Sequence, residues 1–232
     1  MMNVHEFSDQ FDVMLNTFGE GIGIVLDEYE KSLFLTQAQQ KIVETLYNGN
    51  AGYSFEESEG LRRYLSNLVN TIEMDKPVDA PLQVPLSKNS VFYMLPDDLW
   101  FITYESVIIK DDDECMNGRE LMVTPVAQDE YRRVINNPFR GPNRSRALRL
   151  DVKNNMVEIV SRYKIGKYIV RYVKRLHPII LTNLPDNLTI QGESIITECE
   201  LHEALHEVIL NEAVKLALKT KSLGANATQN PS

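Results

Sequence analysis

The sequence predicts an α+β fold: a helical bundle from the N- and C-terminal segments with an inserted antiparallel β-sandwich or small barrel. Three observations predict it. Apolar residues recur at three- and four-residue spacing before residue 75 and again after residue 198. Between them lie β-branched and aromatic runs separated by short turns. Prolines at 77, 81 and 85 mark the change. The expected division is a helical region at 1–75, a β domain with one short helix at 76–197, a C-terminal helix at 198–221 completing the bundle, and a flexible polar tail at 222–232.

The first helix is "EFSDQFDVMLNTFG", which sets Phe7, Phe11, Met14, Leu15 and Phe18 on one face and stops at Gly19. Asp27 opens the next, with Glu30 as its capping-box partner. Thr36 and Gln39 repeat that pattern and predict a joint there, and Asn48-Gly49 ends the segment. "SFEESEGLRRYLSNLVNTIEM" predicts a third helix with Leu61, Leu65, Leu68 and Ile72 inward. The β part begins at "SVFYMLPDDLWFITYESVIIK", turns at "DDDECMNG" and returns as "RELMVTPV". "AQDEYRRVINN" is a short helix and "PFRGPNRSRA" a loop. "ALRLDV", "NMVEIVSRY" and "GKYIVRYVKRL" are strands joined by turns at Asn154-Asn155 and Ile165-Gly166, and "HPIILTNLP" closes the β part. "MLPDDLWFI" and "NLPDNLTI" echo each other, too briefly to establish a repeat. The last helix runs from Glu198 to Lys221, with Leu61, Leu65 and Leu68 expected to share a core with Leu205, Ile209 and Leu216.

Charge is divided unevenly. Residues 131–175 hold nine Arg and four Lys against Asp151 and Glu158, a balance of +11, whereas the rest of the chain, with 11 basic and 31 acidic side chains, stands at −20. The split predicts two electrostatic faces, suited to nucleic acid on the basic one or to pairing of basic and acidic faces between subunits. Arg132, Arg133, Arg140, Arg144 and Arg146 form the densest cluster. They fit an interface better than DNA, because no aromatic stacking platform or recognition-helix pattern accompanies them. Glu212, central on the apolar face of the last helix, either reaches solvent or meets a basic group on a neighbour.

Cys115 and Cys199 are far apart and predict free thiols. No leader is expected from "MMNVHEFSDQFDVML", and no apolar run is long enough to cross a bilayer. "ELHEALHE" spells H-E-x-x-H at His202, Glu203 and His206, the pattern in which two His one turn apart hold zinc and the Glu serves as base. The extended form needs a helix-breaking Gly and a third His, and here Ile209 and Glu212 occupy those positions. A solvated amphipathic helix is therefore expected, with no metal, no cofactor and no catalytic residues. "GEGIG" has no preceding strand and no following Lys-Ser/Thr, so it is not a phosphate loop. "DDDE" at Asp111–Glu114 lacks calcium-loop spacing and reads as a charged hairpin tip.

Four stretches carry a resemblance. "DEYEKSLFLTQAQQKIVETLYNG" resembles the helix entry of phage head–tail connector and neck proteins, and "FYMLPDDLWFITYESVII" the strand that begins their β insert. With "NPFRGPNRSRALRLDV" and "LPDNLTIQGESIITECELHEALHEVILNEAVKLA", nearly the whole chain resembles a tail ring protein of crAss-like bacteriophages. The helix–β insert–helix order is also similar to the tail tubular, or gatekeeper, adaptors of short-tailed phages. The resemblance implies a structural virion protein of the tail or neck, made in the host cytoplasm. It implies twelve copies in a ring, with the portal and neighbouring tail ring proteins as partners, through which DNA is packaged or ejected. It implies no membrane and no enzyme; a zincin and a basic DNA-binding adaptor are the alternatives.

Overall fold

The computed structural model describes residues 2–19, 25–48, 63–79, 90–185 and 187–227. In chain order its elements are α1 (Val4–Phe18), α2 (Glu28–Asn48), β1 (Val69–Met74), β2 (Val91–Met94), β3 (Leu99–Ile109), β4 (Glu120–Pro125), α3 (Tyr131–Ile135), β5 (Arg146–Asp151), β6 (Met156–Val160), β7 (Ile165–Lys174) and α4 (His206–Ala227). Short 3-10 turns lie at Ser66–Leu68 and Glu203–Leu205. The chain divides into two compact units, one of residues 1–67 with 176–232 and one of residues 68–175. The fold is α+β, with helices gathered in the first unit and strands in the second.

In the helical unit α1, α2 and α4 pack pairwise. Asn3 caps α1, accepting from the Glu6 backbone N–H while Glu6 reaches back to the Asn3 N–H. Phe7, Phe11 and Leu15 are buried as the spacing predicts, whereas Phe18 is exposed because the helix ends there and Gly19 turns the chain. A Cβ on Gly19 would stand 2.7 Å from the Leu15 carbonyl oxygen. The expected capping box of α2 is present: Asp27 Oδ1 accepts from the Glu30 N–H at 2.7 Å and Glu30 Oε2 from the Asp27 N–H at 3.3 Å.

The joint expected at Thr36 does not form, and α2 is one helix from Glu28 to Asn48. Thr36 and Gln39 serve a different purpose. Ser32 Oγ accepts from the Leu181 N–H, Thr36 Oγ1 from the Ile179 N–H, and Gln39 Nε2 donates to the His177 carbonyl. Three or four residues of helix rise about 4.5–6 Å and two residues of extended chain about 6.6 Å. A polar stripe at 32, 36 and 39 therefore keeps step with 181, 179 and 177, and satisfies backbone groups that burial would otherwise leave unpaired.

Two more helix boundaries differ from expectation. Val69–Met74 is strand β1, not the end of a third helix: Ile72, Val69 and Met74 pair with Val170, Val173 and Tyr168 of β7. Leu65 and Leu68 are buried even so, while Leu61 lies outside the described residues. The last helix starts at His206 rather than Glu198 and continues to Ala227, into the stretch expected as a tail. The "HPIILTNLP" segment belongs to the helical unit, where Ile180 bridges Thr197.

The sheet unit is one seven-stranded sheet of order β1-β7-β3-β4-β5-β6-β2, antiparallel except for β4 with β5. Its two ends are β1 and β2, so the sandwich or barrel expected from the pattern takes the form of a single sheet. β3 and β4 form the expected hairpin. The β5–β6 turn is Asn154-Asn155, both at positive φ (62° and 55°), a conformation Asn tolerates better than most residues. Ile165 and Gly166 are already strand, and the β6–β7 turn falls at 161–164; a side chain on Gly166 would press on Lys110, with its Cβ 2.7 Å from that of Lys110. The two Leu-Pro echoes are alike as turns, Pro96 and Pro185 each accepting from the N–H three residues on. One sheet face buries Tyr93, Val107, Ile109, Leu121, Tyr168 and Val170, and α3 covers Leu148, Leu150 and Val160 on the opposite face through Tyr131 and Val134.

Candidate assembly surface

The basic segment is built on α3 and the loop that leads into β5. Arg132 and Arg133 are exposed on α3, because Tyr131 and Val134 take its buried side. Arg133 and Arg140 both stand near Glu130, at 3.9 and 3.8 Å, and with Val134 and Asn137 they line a shallow cleft. Arg144 is exposed, and Arg146 donates through Nη1 to the Phe139 carbonyl at 2.7 Å. Exposed pairs of this length contribute little each, about 0.2–1 kcal/mol. The structure thus brings Arg133 and Arg140 together around Glu130 and turns Arg146 to bracing the loop.

Asn137 shapes that loop. Its Oδ1 accepts from the N–H groups of Phe139 and Arg140 at 2.9 and 3.0 Å, and its carbonyl from Gly141 at 2.7 Å. Gly141 is buried, and a Cβ there would lie 2.7 to 3.0 Å from the carbonyl oxygens of Asn137, Ile135 and Val134. Asn143 Oδ1 accepts from the Ser145 N–H. Phe139 stands at the crest of this loop, 84% exposed.

Arg149 closes the basic stretch but is not part of its surface. Its side chain is 11% exposed; Nη1 lies 3.0 Å from Glu105 and Nε 3.0 Å from Asp151. Tyr168 donates to the other Glu105 oxygen at 2.6 Å. Burial pushes the Glu105 carboxyl above its usual range, and Arg149 and Tyr168 oppose that shift. The signal for this site was legible as a lone Glu in the apolar run "ITYESVII", matched by a lone Arg in "ALRLDV".

Glu212 lies at the flank of the buried face of α4, not at its centre, and accepts from Lys41 of α2 at 2.5 Å. The centre is His206, Ile209, Leu210, Ala213, Val214 and Ala217. His206 is buried, with Nε2 3.1 Å from the Leu201 carbonyl, Nδ1 3.4 Å from the Met2 N–H and its ring against Phe7. Burial lowers its pKa, which favours the neutral ring. His202 precedes the helix, exposed and stacked on Tyr64, and its Nδ1 caps the 3-10 turn by accepting from the Ala204 N–H. The solvated amphipathic helix expected for this motif is therefore corrected: one His is core and the other is a cap. With the helix starting only at His206, the two rings do not share a helical face, and both nitrogens of His206 already face polar backbone atoms. Among the described residues no group of three His, Cys, Asp or Glu side chains is placed to hold a metal ion, and no helix is long and apolar enough to cross a membrane. The Asp111–Glu114 tip is a turn in which Asp111 and Asp113 accept backbone N–H groups, and both cysteines are free thiols.

Residues 2–229 match the family described as phage tail ring protein 3/4. The chain is similar to Ring protein 3 of Bacteroides phage crAss001, 48% identical over 225 residues that cover 95% of this chain and 97% of that one. It is also similar to Ring protein 4/5 of the same phage, 34% identical over 227 residues covering 93% and 92%. The chain belongs to this family of crAss-like phage tail ring proteins.

Proposed function

We propose, from this membership, that the chain is a structural subunit of a phage tail, assembling with copies of itself into a ring stacked on neighbouring tail ring proteins. The observation that carries the reading is the likeness over almost the full length to a relative named as a ring protein. Twelve copies, a position in the neck below the portal, and a lumen that DNA traverses during packaging or ejection make up the finer form of the proposal. Arg132, Arg133, Arg140, Arg144 and Arg146 are its basic joint, engaging an acidic surface of the next subunit, and the divided charge of the chain supports that role. Each exposed pair is weak, but a ring repeats it at every joint, so assembly depends on ionic strength.

Native mass spectrometry and electron microscopy of the purified chain, alone and with its tail ring and portal partners, test this. Closed rings that weaken as salt rises, and that are lost with Arg140→Glu plus Arg144→Glu, are the expected result. A chain that stays monomeric in every mixture overturns the reading, and rings indifferent to salt and to the double reversal remove the basic joint from it.

A further inference from the structure

An exposed apolar strip runs across the sheet unit beside the basic loop. Arg146 of β5 is the cross-strand partner of Met122 in β4, Met122 of Ser106 in β3, and Ser106 of Ile169 in β7. These residues therefore follow one another along a single face. Met122 is 59% exposed, and Tyr104, two residues from Ser106, is 41% exposed and donates its hydroxyl to Glu120. Arg146 ties this row to the Phe139 carbonyl, which anchors the loop bearing Phe139 beside it. Met122 and Tyr104 thus flank the buried Ser106 on this face, and exposed Phe139 stands on the loop tied to the same row, with Arg140, Arg144 and Arg146 beside it. An apolar centre with a polar rim is the anatomy of a protein interface rather than of a phosphate-binding surface. The loop is held by Asn137, Gly141 and Arg146 before any partner arrives, so little ordering entropy opposes docking of Phe139.

The helical unit carries a second exposed apolar feature of opposite charge. Residues 180–185 and 187–197 fold back on one another: Ile180 bridges Thr197, Leu184 donates to the Ser194 carbonyl, and Gln191-Gly192 turn at positive φ. Ile196 is fixed through its N–H to Asn183 Oδ1, and Glu193 pairs with His177 at 2.6 Å. This ribbon leaves Ile195 72% exposed, with Ile196 and Leu188 partly exposed. Residues 187–200 hold Glu193, Glu198 and Glu200 and no Lys or Arg, whereas residues 138–148 hold three Arg and no Asp or Glu.

We propose that the Phe139–Met122–Tyr104 strip is the docking surface for a second copy of this chain, which seats its Ile195–Ile196 ribbon there. The proposal rests on the ring reading above. A cyclic ring needs two different, complementary patches on each subunit, because its contact is head-to-tail. These two patches meet that need in both respects: each exposes rigidly held apolar side chains, and their charges are opposite. Phe139 is the anchor, and the arginines set orientation and encounter.

Disulfide trapping tests it. In a Cys115→Ser background, which leaves only the buried Cys199, Phe139→Cys and Ile195→Cys are introduced singly and together in the full chain. Oxidised assemblies of the doubly substituted chain should give a ladder of covalent oligomers, and neither single variant should. Rings that are present by electron microscopy yet give no ladder, or that give dimers with Phe139→Cys alone, overturn this contact while leaving the ring reading intact. Absence of any assembly, including for the parent chain, sinks both. A second measurement guards against misfolding of the cysteine variants. Phe139→Ala should raise the concentration at half-assembly by roughly tenfold or more. Arg140→Glu should weaken assembly and Glu198→Arg in the same chain should restore it; failure of that rescue, with an unchanged response to Phe139→Ala, also counts against the contact.

Discussion

In the helical unit, the buried polar side chains Ser32, Thr36 and Gln39 are neutral and reach the backbone of residues 177–181. In the sheet unit, Glu105 and Arg149 are buried with complementary charges and Tyr168 completes their contacts. Lys31 of the helical unit is also buried, but its partners Asp12 and Glu28 stand half in water. Burial works against the Lys31 charge, and those two carboxylates more than offset it, so its ammonium titrates above the ordinary lysine range. The contrast teaches that the same problem, a polar group without water, has a solution that ignores pH and one that depends on it. A hydroxyl on a backbone amide needs only geometry, whereas a buried carboxylate needs its cation.

The comparison breaks most sharply at Arg149. Arg149→Met leaves Glu105 buried without its cation and should cost about 3–5 kcal/mol near neutral pH. Glu105 already titrates high through burial, and loss of Arg149 moves it higher. A carboxyl whose folded pKa lies above its unfolded value, about 4.3, stabilises the fold fully below that value and less as pH rises through the folded pKa. The deficit of Arg149→Met should therefore be small in acid and grow toward neutrality. Urea unfolding midpoints of the dilute chain measured across pH check this, and a pH-independent deficit would refute the ionic reading of Glu105.

Thr36→Val tests the other half. It keeps shape but strands the buried Ile179 N–H, at an expected cost of about 1–3 kcal/mol. Because no charge is involved, the cost should be flat over the same pH range, and a slope would show that the two units are less different than proposed. The smallest effect belongs to Lys41→Ala, which removes the partner of Glu212. Lys41 is exposed, so the loss should stay below about 1 kcal/mol and shrink further in salt. A larger loss in the monomer would mean that Glu212, 22% exposed, depends on its cation more than an exposed pair does.

Much of the local structure was legible in the sequence. The capping box at Asp27 and Glu30, the buried positions Phe7, Phe11 and Leu15, the β3–β4 hairpin and the Asn154-Asn155 turn follow from spacing and turn chemistry over a few residues. Val69–Met74 was misread because the segment ahead of it continues a helical spacing, while only pairing with β7 makes it a strand. The His202–His206 pair was misread as one helical turn because the spacing cannot reveal where a helix starts. Thr36 and Gln39 matched a capping pattern, yet their partners lie well over a hundred residues away. For the proposed docking strip, the Arg cluster was evident in composition, but Met122 and Tyr104 come to one sheet face only through strand register, and the Phe139 loop is tied beside them only through Arg146.

The sequence by itself determined which residues are apolar at which period, where charge accumulates, and the Asn154-Asn155 turn, since these depend on neighbours within a turn or two of chain. Its likeness over nearly the full length also determined the family. Tertiary structure alone decided which arginine is surface and which is core. Arg146 and Arg149 are three residues apart in one strand, so they point to opposite sheet faces. One braces an exposed loop and the other pairs with Glu105, because what a charge meets across a sheet is set by register with distant strands, which no local pattern encodes.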